Sequence, residues 1–203
     1  MARISSGVGI GWSSARLVDS VKATYRPPPE PEVLIGAIVD RVERRPEGSL
    51  IVVLQPAWDS IAKLLRDNPS ELPQLSPDQW EELIAGAYDK AGYDEVVLTP
   101  RSGDGGRDII AVKRGYHSIR IIDQVKAYAP GHPVPANDVR ALVGVLLSDP
   151  LATKGIVTTT STFAPRILDD PSIARHMPFR LELHDGEEVR KRLLALTPDK
   201  RSL

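Results

Sequence analysis

Asp108, Gln124 and Lys126 are the residues of this chain whose types and spacing carry the most chemistry. Asp108 to Val112 reads as a strand, Lys113 to His117 as a turn, and Ser118 to Lys126 as a second strand. Side chains alternate faces along a strand, so Arg120, Ile122, Gln124 and Lys126 share one face. In an antiparallel pair the start of one strand lies beside the end of the other. A carboxylate, an amide oxygen and an ammonium then meet at one end of a sheet. Such a set suits phosphodiester hydrolysis, which needs a cation to offset charge building on phosphate and an activated water. Asp108 offers a hard anionic oxygen for Mg²⁺, with Mn²⁺ as the alternative. The Gln124 side-chain oxygen and a backbone carbonyl near Val125 offer further ligands. Lys126 would orient or deprotonate the water, or stabilise developing charge.

Each of these residues also has a plainer reading. An aspartate opening a strand often caps a turn, and a lysine closing one is often a solvated edge charge. The QxK spacing, with an aspartate at the open end of the hairpin, favours the site. The loop TPRSGDGGR, Thr99 to Arg107, is rich in glycine. It lacks the spacing of a nucleotide-binding loop, and a strand rather than a helix follows it. Its glycines instead let the backbone pass close to the site or to a ligand, and Asp104 reads as a turn former. Thr158, Thr159 and Thr160 suit a strand by propensity and are candidates for the same edge. The four histidines show no paired metal spacing. Between Thr99 and His132 six cations stand against three acids, in a chain of net charge -1. Such a local excess suits nucleic-acid phosphates, the alternative being an ordinary solvated hairpin. Arg101, Ser102, Gly105, Arg107, Lys113 and Arg120 are the candidates for that contact.

Other elements must hold the hairpin in place. Ser76-Pro77-Asp78-Gln79 has the pattern of a capping box with proline at the first helical position. Trp80, Leu83, Ile84, Ala87 and Ala91 follow at helical spacing, and Gly92 can close the helix. A short strand is expected at Val96 to Leu98, a helix capped by Asn137, and a strand at Gly155 to Thr160. A further strand at Arg180 to His184 and a helix at Glu187 to Leu196 complete the order αβββαβ, then βα. A helix crossing between two strands implies parallel pairing in a mixed sheet. Upstream, Arg26 to Glu32 (RPPPEPE) reads as a stiff linker. Pro46-Glu47-Gly48 marks a hairpin turn between two apolar segments, and Trp58, Ile61, Leu64 and Leu65 mark a short amphipathic helix. Residues 1–70 are thus expected as a small N-terminal extension, open to sheet extension, a dimer contact or partner binding. Residues 71–203 hold the hairpin.

The 203 residues, 41% hydrophobic and 26% charged, can bury a sizeable core. There is no cysteine, which excludes disulfides, thiolate nucleophiles and cysteine-based zinc sites and fits a cytoplasmic setting. No apolar run approaches the ~20 residues that span a bilayer, and the N-terminus lacks a signal-peptide core.

The runs GYDEVVLTPRSGDGGRDIIAVKRG and IIDQVKAYAPGHPV resemble the Mrr-like (type IV) restriction endonucleases of the PD-(D/E)xK nuclease superfamily. The likeness extends from about Asn68 to Leu196. It takes in NPSELPQLSPDQWEELIA, KGIVTTTSTF and LELHDGEEV, in the family's order and on the matching predicted elements. It implies a restriction-endonuclease-like αβββαβ core, an α/β fold with a central mixed sheet flanked by helices. It implies that Asp108 matches the metal-binding aspartate and Lys126 the catalytic lysine. Gln124 stands in place of the second acid, and Glu81 matches an acid on the first helix that completes the metal shell. The implied activity is Mg²⁺-dependent endonucleolytic cleavage of DNA in restriction or phage defence, by a homodimer if both strands are cut. Two alternatives stay open: a weakly cutting nucleic-acid-binding module of a larger complex, and a nuclease for RNA or branched DNA.

Overall fold

The computed structural model describes residues 39–67, 75–100, 106–129 and 131–196. The linker at 26–32 and the rest of the first 38 residues lie outside them. Seven strands form one mixed sheet, in spatial order equal to chain order. They are β1 (Val39–Arg45), β2 (Gly48–Val53), β3 (Glu95–Leu98), β4 (Ile109–Lys113), β5 (Ile119–Lys126), β6 (Lys154–Thr159) and β7 (Leu181–His184). Neighbours from β1 to β5 pair antiparallel, while β5–β6 and β6–β7 pair parallel. The expected order αβββαβ, then βα, is the order observed, and the crossover helix accounts for the switch to parallel pairing.

The helices are α1 (Gln55–Asp67), α2 (Pro77–Lys90), α3 (Ala136–Ser148), α4 (Pro171–Ala174) and α5 (Gly186–Ala195). One face of the sheet packs against α1, α2 and α5. Trp58, Leu65, Leu83, Ile109, Val125 and Leu193 share that core. The other face packs against α3, where Val139, Leu142 and Leu146 meet Ile122, Val157 and Leu181. Each such aliphatic side chain, fully buried, contributes roughly 1.5–3 kcal/mol. Residues 39–67 are continuous with this architecture: β2 pairs with β3, and Trp58 and Ile61 are buried in the same core as α2. Among the described residues no helix is long and apolar enough to cross a membrane.

The ends of α2 follow its sequence. Ser76 N donates to Gln79 Oε1 at 2.7 Å and Gln79 N to Ser76 Oγ at 3.3 Å, the reciprocal capping box. Gly92 follows the helix with φ +78°, the left-handed conformation that closes it. The expectation for α3 needs correction. Its first residue is Ala136, so Asn137 lies inside the first turn, and its side-chain oxygen accepts from Arg140 instead of a backbone N–H. Pro135, preceding the helix, provides no side-chain cap. At the far end Arg180 donates to the carbonyls of Leu146 and Ala152, placing a cation where the helix dipole favours one. Gly48 is fixed by close approach: a Cβ there would lie 2.0 Å from the Leu98 carbonyl oxygen.

Candidate active site

Ile109 pairs with Asp123, so Asp108, one residue earlier, lies alongside Gln124 at the end of β5. The Val125 N–H donates to Asp108 Oδ2 at 2.7 Å, so the carboxylate takes over a ladder bond where β4 begins. Its backbone is held too, since Asp108 N donates to Asp123 O and Thr99 N to Asp108 O. Gln124 and Lys126 share the face of β5 that looks toward α3. Gln124 is buried, and its Oε1 makes no hydrogen bond among the described residues. Gly106 lies against the Gln124 amide with φ +80°, the left-handed conformation that favours glycine. Lys126 is half-buried and registers with Thr159, whose Oγ1 donates to the Lys126 carbonyl at 2.8 Å. Thr160 holds Tyr128 O in the same way. The hairpin therefore brings Asp108, Gln124 and Lys126 together, and β6 pins the last of them.

Glu81 lies half-buried on α2, in a cleft of about 170 Å³ whose lining includes Asp78, Glu82, Thr99 and Pro100. Thr99 links that acidic cleft to Asp108 through the backbone bond described above. No group of three histidine, aspartate or glutamate side chains suited to a metal occurs among the described residues. A metal here would therefore draw on the Gln124 oxygen and backbone carbonyls beside the acids.

The six residues expected to contact nucleic acid fare unequally. Arg101, Ser102 and Gly105 lie outside the described residues, as does Asp104. Arg107 is held by Asp149 at 3.2 Å and Glu47 at 3.9 Å. Arg120 is held by the same two acids, Glu47 at 2.5 Å and Asp149 at 3.8 Å, and only 14% of its side chain is exposed. Lys113 ends β4 at the opposite end of the strand, about 16 Å from Asp108 at strand rise. There its ammonium donates to Gly92 O at 2.6 Å and lies 5.9 Å from the Tyr93 ring centroid. The local cationic excess is thus partly neutralised by Glu47 and Asp149, acids outside the segment that contains it.

A second set of residues was not evident from the pattern. On the opposite face of β5, Asp123 is 1% exposed, and its Oδ2 accepts from Tyr88 Oη at 2.7 Å and Thr158 Oγ1 at 3.0 Å. Its other oxygen is buried without a hydrogen-bond partner among the described residues. Burial raises its pKa from the usual 3.8 to about 7, against the two hydrogen bonds and with a smaller push from Asp108. The clue in the sequence is a lone acid between Ile121 and Val125 on an otherwise apolar face. The linkage has a definite sign. Between about pH 4 and pH 7 the folded chain binds a proton that the unfolded chain releases, so this group's contribution to stability is present at acid pH and lost as pH rises to 7. Asp123→Asn is expected to flatten the fall of Tm across that window in metal-free thermal melts; equal slopes for variant and parent would contradict this.

Residues 72–193 match a family model described as restriction endonuclease (Mrr_cat). Among solved structures the chain is similar to the DNA modification-dependent restriction endonuclease AspBHI, at 18% identity and a TM-score of 0.43. The similarity covers 71% of this chain and 36% of that one, so the chain spans little more than a third of that protein's length. No curated protein matches the chain.

Proposed function

Because this chain belongs to the restriction endonuclease family, whose model spans residues 72–193, we propose that it is a metal-dependent endonuclease that hydrolyses DNA phosphodiester bonds. The carrying observation is the buried, unpartnered Gln124 Oε1 beside the Asp108 carboxylate and Lys126. A buried carbonyl left without a donor costs about 1–3 kcal/mol, and a hard cation shared with a carboxylate is a ligand that offsets this cost. Asp108 and Gln124 would hold Mg²⁺ or Mn²⁺, with Glu81 reaching it from the acidic cleft. A bound divalent ion supplies charge compensation at the phosphate and a more acidic water.

The chain's own groups then have separate tasks. The Val125 N–H fixes the Asp108 carboxylate through one oxygen. Lys126 either orients the attacking water as the ammonium, its charge offsetting that of the phosphate in the transition state, or takes the water's proton as the neutral amine. Thr159 limits the movement of Lys126 through its carbonyl. Restriction of incoming DNA is the setting proposed for this activity, with two copies acting where both strands are cut.

The test is incubation of supercoiled plasmid with the full chain and Mg²⁺ or Mn²⁺, in parallel with methylated duplex, single-stranded DNA and RNA. Nicking or linearisation that stops on chelation is the expected result. The reading fails if no nucleic acid is cut with either metal, or if cutting persists in chelator.

A further inference from the structure

We infer that the β1–β2 hairpin is a phosphate-binding wing, on which Arg41 and Arg44 hold the backbone of duplex DNA beside the candidate active site. The inference rests on the nuclease reading above and adds a binding surface to it. Residues 39–53 lie outside the matched span 72–193, so the surface is a property of this chain beyond the family core.

The need for such a surface follows from the charges. Within the segment that first suggested a basic face, Arg107 and Arg120 are matched by Glu47 and Asp149. Lys113 and Arg114 are engaged at the other end of the sheet by Gly92 and Glu95. β1 supplies cations at the correct end. Its sequence is VDRVERR, and the pairing with β2 shifts register between Arg41 and Glu43. Arg41 then pairs with Ile51 and Arg44 with Ser49, residues two apart on one face of β2. Arg41 and Arg44 therefore share a face, while Glu43 and Arg45 stand on the other.

The two arginines are available. Arg44 is exposed and makes no ion pair among the described residues. Arg41 is 57% exposed and pairs with Glu82 at 2.9 Å. An exposed pair of this kind is worth little, so a phosphate can compete for the guanidinium. Arg41, Arg44 and Arg45 line a cleft of about 500 Å³ in which, among the described residues, Glu43 is the one acid, and Leu98, Thr99 and Pro100 also line it. Thr99 N donates to Asp108 O at 3.0 Å, so the cleft opens beside the site aspartate. Three strand spacings separate β1 from β4, about 14 Å. At about 3.4 Å of duplex per base pair, the wing would grip the backbone roughly four base pairs from the bond being cut.

Salt titration of binding tests this. The affinity of the full chain for a mixed-sequence duplex is measured by anisotropy in chelator, which prevents metal-dependent cleavage, over a fourfold range of salt. Each lost phosphate contact lowers the slope of log K against log salt by about 0.9. Arg44→Ala should therefore lose about 3.5-fold less affinity than the parent across the range, and Arg41→Ala/Arg44→Ala about 12-fold less. Arg44→Lys should keep the parent slope, as should Arg190→Ala on α5. The inference is overturned if the double variant keeps the parent slope, if Arg190→Ala changes it equally, or if the parent binds no duplex. Plasmid cleavage by the parent is read separately. Cutting with unchanged slopes sinks the wing alone, and altered slopes without cutting sink the nuclease reading while the wing stands.

Discussion

Asp108→Asn is expected to abolish metal-dependent cleavage, with a loss on the order of 10³-fold in single-turnover rate, while the chain stays folded. The substitution removes one negative charge and little else. An asparagine oxygen can still accept the Val125 N–H that the Asp108 carboxylate accepts at 2.7 Å, so the start of β4 keeps its ladder bond. Asp108→Ala gives up both. Val125 is buried, and an N–H left without an acceptor costs about 1–3 kcal/mol. The alanine variant should therefore melt measurably below the asparagine variant, with both inactive. Equal cleavage by Asp108→Asn and the parent would remove this residue from the site.

Lys126→Ala is expected to slow the chemical step by about 10²- to 10³-fold at saturating metal, with DNA affinity changing far less. Lys126→Arg separates the two tasks assigned to Lys126. If charge at the transition state is the main contribution, arginine should restore most of the rate, because it keeps the charge. If proton transfer dominates, arginine should restore almost none, because it does not give up a proton in proteins. A Lys126→Ala variant that cuts at the parental rate would leave the site without its proposed base.

The parts of this fold that were legible in the sequence are those fixed by local rules. The capping box at Ser76 was readable because both partners lie three residues apart, and the hairpin trio because strand alternation and antiparallel pairing leave one arrangement for Asp108, Gln124 and Lys126. The parts that were not legible involve partners that only the fold supplies, near and far along the chain. Asn137 has the composition of a cap, but Arg140 takes its oxygen one helical turn on. Arg120 and Arg107, read as phosphate candidates, also have acidic partners that no local pattern announces: Glu47 in the β1–β2 turn and Asp149 at the end of α3, 73 and 42 positions away. The network of Tyr88, Asp123 and Thr158 joins three elements across separations of 35 residues each. No local pattern encodes such a network; only the buried acid in an apolar run gives it away.

The register shift in β1 has a consequence for how this surface can change over time. With one extra residue between Arg41 and Glu43, the two available arginines face the same way. Insert one further uncharged residue between Glu43 and Arg44, and strand alternation would turn every residue on one side of the insertion to the other face. Arg41 and Arg44 would then part company, with no charge gained or lost. The electrostatic character of the hairpin is thus set by chain length as much as by composition. A one-residue insertion there can redraw the binding face in a single step, while the family core from residue 72 onward keeps its sequence.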